Sequence, residues 1–431
     1  MSALLIANGR VVDPGRGVEG DLDVLLVDGR VSAVGPNLAA GGEFERVIDA
    51  SGKIVVPGLI DMHVHLREPG RAADETIASG SAAAVRGGFA SVAVMPTTEP
   101  AVDGEAGAEF QVLQGKRAGK ARVFPIGAAT RDRAGQDLAE LEGLVRGGAV
   151  AFSDGDRPIR SAEVLRCTML YARMLDRTVI VHPEDPDLAK QGVMHSGVVS
   201  LSLGLPGKSS ASEEVMVARD IALARLTGAR LHFSQVSTRG AVALVRAAKA
   251  EGLAVTCAVT PHHLTLTDES VRSFDPNVKV EPPLRTQDDV EGLIEGILDG
   301  TVDAIASGHA PHSREKKEVE FQVAPSGVIG LETTLPITLK ALVHERGLSL
   351  LRLVELLSLG PAKILGLPGG TLAPGAPGDV TILDLEEEHT ITTDFRSNSQ
   401  NSPFVGWDVK GRAHYTIVEG RVVYDRSEEE S

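Results

Sequence analysis

The sequence predicts an α/β protein: a (β/α)8 TIM-type barrel with a small β-sandwich domain built from both termini. Three observations point there. Between residues 58 and 366, eight short apolar runs alternate with Ala-rich segments of helical periodicity, the rhythm of βα units around a parallel sheet. Both ends of the chain read instead as β-hairpins. The length, 431 residues, allows two to three units at roughly 150 residues each, and one barrel absorbs most of that.

At the first end, Leu4 to Val12 and Asp23 to Val31 are apolar stretches marked by Asn8-Gly9 and Asp28-Gly29, the strongest short hairpin signals. Asp379 to Leu383 and Tyr415 to Val423 repeat the style near the other end. Segments of about 55 residues bury little surface alone, so the two ends are expected to pair into one sandwich. The expected organisation is therefore a β-sandwich from 1–57 and 367–424, a barrel over 58–366 and an acidic tail over 425–431 that includes Glu428, Glu429 and Glu430. The eight runs fall at 55–60, 91–95, 122–126, 149–152, 178–181, 230–233, 253–257 and 302–306. Helices are expected at 74–86, 138–146, 161–174, 212–226 and 239–250. A doubly wound open sheet is the alternative, but no Gly-rich phosphate fingerprint follows the first run.

Composition narrows the function. With 42% hydrophobic and 24% charged residues the chain reads as globular, and no apolar run approaches the 18 or so residues of a membrane span. Aromatics make up 3%, so the core is expected to be aliphatic. A formal net charge of −16 argues against nucleic-acid or anionic-membrane surfaces. Cys167 and Cys257 are too few for a disulfide framework or a cysteine zinc site. With a short, uncharged apolar run at the start, this favours the cytoplasm.

In a barrel, functional groups project from the C-terminal ends of the strands. Asp61-Met62-His63-Val64-His65 places two imidazoles at i and i+2 of an extended segment, where alternation sends both to one face. Neutral imidazoles so placed can hold a cation; the bland alternative is two polar residues at a strand end. His182 ends the fifth run and joins the same rim.

The residues from Ile60 to Gly70, then Thr260-Pro261-His262-His263-Leu264, His309-Ala310-Pro311-His312 and Leu372-Ala373-Pro374-Gly375, resemble bacterial dihydroorotase of the amidohydrolase superfamily. The likeness runs in order through essentially the whole chain. It implies a metal-bearing barrel beside a small β-sandwich, and interconversion of carbamoyl-aspartate and dihydroorotate. In the family, two zinc ions polarise the amide carbonyl and generate hydroxide, while an aspartate at the eighth strand moves the proton.

Carried over by that resemblance, His63 and His65 match ligands of the first metal and His182 one of the second. The other positions depart. The family's Ser-Asp-Asp-Gly, whose second Asp bridges the metals, stands here as Ser153-Asp154-Gly155-Asp156, and His-Val-Ser stands as Gln235-Val236-Ser237. Thr-Asp-His-Ala-Pro-His stands as Ser307-Gly308-His309-Ala310-Pro311-His312, so Gly308 removes a ligand and the general base together. Asp154 or Asp156 could replace the bridge only by a one-residue shift of the strand end. Arg67 and His312, which bind the substrate's carboxylate end in the family, remain; Thr97 and Glu281 stand where the family has Asn. Glu281 is expected to repel a dianionic substrate, by on the order of 1 kcal/mol at 4 Å in water.

The leading expectation is a dihydroorotase-like pseudoenzyme with a dismantled binuclear zinc site, acting as structural partner of aspartate carbamoyltransferase in a homo- or hetero-oligomer. The rival is an active cyclic amidohydrolase in which His63, His65 and His182 hold a single zinc, with Glu281 or Asp154 adding an oxygen. A third is a binding module that keeps Arg67 and His312 as an anion clamp. His262 and His263 read as loop-shaping or core groups, and His195, His232, His344, His389 and His414 show no constellation. The stretch Arg314 to Glu318 reads as a solvated charged loop, and Cys257 as core.

Overall fold

The computed structural model describes residues 3–429. Eight parallel strands, Leu59–Val64, Phe89–Val94, Arg122–Gly127, Ala151–Phe152, Thr178–Val181, Leu231–Phe233, Val255–Val259 and Ala304–Ile305, neighbour one another in chain order. A parallel bridge between Val64 and His309 closes the ring, and the His65 N–H donates to the His309 carbonyl at 2.8 Å. Each strand is buried on both faces, which is why it reads as a continuous apolar run rather than an alternation. The interior is filled by Met62, Ala93, Met95, Ile126, Ile180 and Ala258, aliphatic as expected.

The run at 55–60 is not one strand. Ile54–Pro57 belongs to the terminal sheet and Leu59–Val64 to the barrel. Gly58 separates them at a close approach: a Cβ there would lie 2.6 Å from the Ala90 Cβ. The helix expected from 74 begins at Ile77, because Asp74 and Glu75 are drawn away. Asp74 accepts from the Ser313 N–H at 2.9 Å and from Lys316 at 2.7 Å, and Thr76 caps the helix instead. Arg239–Ala250 forms where periodicity placed it, capped by Thr238.

The two chain ends meet in one eight-stranded sheet, joined where Ile54–Pro57 pairs antiparallel with Val380–Thr390. Leu4, Ile6, Val24, Val55, Ile382 and Ile417 share its core. Asp28-Gly29 makes the expected two-residue turn, with φ of 47° and 79° between paired Val27 and Arg30. Asn8-Gly9 does not. It lies inside Ala3–Asp13 as a bulge, with Asn8 at φ 62° and the register shifting between Ile6 and Gly9. In the segment read as an acidic tail, Asp425 ends the last strand and Glu429 pairs with Arg396 at 2.8 Å. Glu430 lies outside the described residues. No helix among the described residues is long and apolar enough to cross a membrane.

Candidate functional site

The C-terminal strand ends surround a cavity of about 390 Å³. His63 and His65 both reach its wall, their rings edge to face with centroids 5.3 Å apart, as strand alternation requires. His182 joins them from the fifth strand end. Burial pushes the His63 imidazole down to about 3, assisted by the neighbouring His182. It also holds His65 well below the ordinary range, with Arg67 adding to the effect, and lowers His182. All three are therefore neutral, the form that donates to a cation. Among the described residues His63 Nδ1 and His182 Nε2 are buried without a hydrogen-bond partner.

The other inherited positions provide no donor. Gly155 has φ +67°, and a Cβ there would lie 2.5 Å from the Thr97 Cγ2. Gly308 has φ +64°, and its Cβ would meet the Gln235 Nε2 at 2.7 Å. Both backbones occupy the left-handed region that side chains disfavour. Gln235 itself has φ 53° and brings a neutral amide to the rim. Asp154 is turned away, its carboxylate held by the Thr130 hydroxyl and by the Thr130 N–H at 2.9 Å. Asp156 does reach the wall, but it is exposed and paired with Arg133. From there its charge acts on both His63 and His182. A zinc pair needs imidazole, thiolate or carboxylate donors closing on both ions. The residues present do not fit a binuclear centre.

Three donors do converge, though not the expected three. A ring nitrogen of His182 and carboxylate oxygens of Glu184 and Glu281 all lie within 4.8 Å of one another. Asp154 takes no part, and the set His63, His65 and His182 does not close to that distance. Glu281 also differs from its expected role as a bare negative charge. Lys208 Nζ donates to it at 2.5 Å and to Glu184 at 2.7 Å. Burial nevertheless pushes the Glu281 carboxyl up to about 7, with Lys208 opposing and Glu184 adding to the rise.

Another part of the cavity wall is cationic. Arg67 and His312, the expected anion clamp, stand side by side, with Arg67 Nη2 3.4 Å from His312 Nε2. The Arg67 Nε donates to the Pro311 carbonyl at 3.1 Å. Burial drives His312 down to about 3, and Arg67 contributes. Arg71 joins the wall; its buried Nε makes no hydrogen bond among the described residues but lies 3.7 Å from the Glu99 carboxylate. Thr97 is not on the wall; its hydroxyl sits behind His65 and bonds the ring's Nδ1.

Several of these roles escape the sequence. His262 lines the cavity, whereas His263 is the loop-shaping member, bonded to Thr260 and to the Pro282 carbonyl. His232, with no constellation in the sequence, lies close enough to His63 for that ring to depress it further after burial has done so. Within the charged stretch after the eighth strand, Lys317 is buried, donating to the carbonyls of Pro325 and Gly327 at 3.0 and 3.1 Å and so pinning a loop of the cavity wall. Glu184 carried a signal, two residues beyond His182. Lys208 carried none, because a small parallel pair, Met194–His195 with Gly207–Lys208, delivers it from a loop.

Residues 52–241 match the family model described as dihydro-orotase-like, and residues 338–424 match the amidohydrolase family. A curated dihydroorotase of Geobacter sp. (strain M21) is 50% identical over 422 residues, covering 98% of this chain and 99% of the relative. The chain belongs to the dihydroorotase family. A second dihydroorotase, from Pelotomaculum thermopropionicum, is 50% identical over 421 residues, 97% of this chain and 98% of its own length. Among solved structures, the L-hydantoinase (dihydropyrimidinase) from Arthrobacter aurescens superposes with TM-score 0.87 at 28% identity, over 99% of this chain and 97% of that one. The barrel with its terminal sheet is thus the architecture of this dihydroorotase-like chain.

Proposed function

We propose that this dihydroorotase-like chain of pyrimidine biosynthesis is a pseudoenzyme: it keeps the barrel and an anion-binding end but neither the zinc pair nor the proton-transfer group. The observation that carries this reading is the pair of left-handed glycines, Gly155 and Gly308, at two strand tips where a Cβ would meet an atom within 2.7 Å. Loss of a positioned general base costs about 10²- to 10⁴-fold, and loss of the metal removes the Lewis acid and the hydroxide source as well. What the chain's residues supply is binding. Arg67, Arg71 and His312 present cationic and polar groups to a carboxylate, and no carboxylate stands at the eighth strand tip to take a proton.

A non-catalytic homologue of this kind serves as a structural partner, and the family resemblance points to aspartate carbamoyltransferase as that partner, in a cytoplasmic homo- or hetero-oligomer. Purified chain supplied with zinc is expected to hydrolyse dihydroorotate no faster than buffer. Turnover of 1 s⁻¹ or more, roughly the lower end for ordinary enzymes, overturns the reading. Affinity capture from the source organism is expected to retain aspartate carbamoyltransferase, and a clean absence of association removes the scaffold role.

The convergence of His182, Glu184 and Glu281 favours a second reading, an active cyclic amidohydrolase with one ion, since three protein ligands are just sufficient for a mononuclear site. Lys208 stands against it, because its ammonium already occupies the two carboxylates.

A further inference from the structure

Lys208 is a buried cation, 8% exposed, held against two residues of the cavity wall, Glu184 and Glu281, and it lies outside every motif carried over from the family. Its Nζ reaches Glu184 Oε2 at 2.7 Å and Glu281 Oε2 at 2.5 Å. Those same carboxylates, with a ring nitrogen of His182, form a donor set closed to within 4.8 Å. His182 is 6% exposed, and its Nε2 has no hydrogen-bond partner among the described residues. The Glu281 Oε1 is likewise shut from solvent without a partner.

Two neighbouring carboxylates removed from water need a positive charge between them. A metal ion supplies it with bonds near 2.0 to 2.2 Å to oxygen; an ammonium supplies it through hydrogen bonds of 2.5 to 2.7 Å at Glu281 and Glu184. The two cannot coexist, since the ammonium claims the space and lone pairs that an ion would use, and repels it. We propose that Lys208 is the resident cation of this end of the site: it takes the place of a metal ion between Glu184 and Glu281, and by doing so closes the His182, Glu184 and Glu281 donor set to divalent cations. The inference rests on the reading that no zinc pair is assembled here, and it adds what balances the charge instead.

It predicts a gain on removing the lysine. Lys208→Met keeps the apolar stem and deletes the ammonium, leaving two carboxylates and an imidazole facing one another. Titration of the full chain with Zn²⁺ by calorimetry, and with Co²⁺ by its visible absorption, is expected to show one ion per chain bound on the order of 100-fold more tightly than by the wild type, a size that changes around a metal site reach. Adding His182→Ala to Lys208→Met is expected to abolish that gain. Lys208→Gln, whose amide still bonds one carboxylate, gives the same comparison should the methionine variant prove unstable. A folded variant that binds neither metal more tightly than the wild type overturns the proposal, and so does a gain that survives His182→Ala. Catalytic turnover by the wild type bears on the pseudoenzyme reading alone, so the two fail in different assays.

Discussion

The two ends of the cavity carry their charge in opposite ways. Where Arg67, Arg71 and His312 line the cavity, two guanidinium groups meet its wall, Arg71 lying 3.7 Å from Glu99, and the acidic group nearby, Asp156, is paired with Arg133. At the end formed by His182, Glu184, Glu281 and Lys208, cation and anions neutralise one another within hydrogen-bond distance. The first group carries an excess of positive charge; in the second, charges of opposite sign meet. The difference teaches that two carboxylates brought together at a cavity wall need a counter-charge, and here a lysine from a loop provides it.

Breaking the second end has the largest expected effect. Lys208→Met leaves Glu184 and Glu281 without their counter-charge and should destabilise the fold by about 3 kcal/mol, as the loss of one partner from a buried ion pair does; the urea midpoint measures it. A change within error would mean that the pair is as weak as one on the surface. At the first end, Arg67→Ala should weaken carbamoyl-aspartate binding roughly 10- to 100-fold, the worth of a hydrogen bond to a charged group, with thermal-shift titration as the readout. Lys208→Met should leave that affinity within about twofold, since the partners of Lys208 are Glu184 and Glu281 rather than Arg67 or His312; equal losses from both variants would erase the distinction between the two groups.

Gly308→Ala probes the tip between them. Its φ of +64° and the 2.7 Å approach to Gln235 Nε2 should cost about 1 to 2 kcal/mol. Gly308→Asp alone should therefore restore no hydrolysis of dihydroorotate, because Gly155 and Gln235 still provide no donors.

The smallest effect separates the ends by pH. His312 is held at about 3 in the fold, chiefly by burial, so its contribution to stability is full above the unfolded value near 6.5 and is lost as pH falls toward 3. Glu281 is raised to about 7. Its contribution is full below the unfolded value near 4.5 and is lost as pH rises through 7. Melting temperatures measured from pH 4 to 8 should show His312→Gln flattening the acid limb and Glu281→Gln flattening the neutral one.

Much of this was legible in the sequence, for reasons that also mark where legibility stops. Strands buried on both faces read as apolar runs, so the barrel could be counted; the same property hid the boundary inside 55–60, where only Pro57-Gly58 interrupts a run serving two sheets. Asn8-Gly9 and Asp28-Gly29 look alike in sequence, yet pairing with Val18–Val27 across the whole of Ala3–Asp13 makes the first a bulge. At the site, His63, His65 and His182 reach the cavity because strand ends fix where side chains point, whereas Arg67 and His312, also on its wall, are legible only through the family resemblance. Glu281 was found, but with its effect misjudged, because its sign depends on Lys208, 73 residues away in the chain. The hydrogen bond between Thr97 and His65 has no counterpart in the sequence pattern either. Partners delivered by loops have no periodicity to announce them.

The dismantled centre is tested most directly by counting metal. Chain purified from zinc-supplemented cells, dialysed without chelator and subjected to elemental analysis, is expected to hold well under one zinc per molecule. Two tightly held zinc ions per chain, lost together when His63 and His182 are replaced by alanine, would contradict the account.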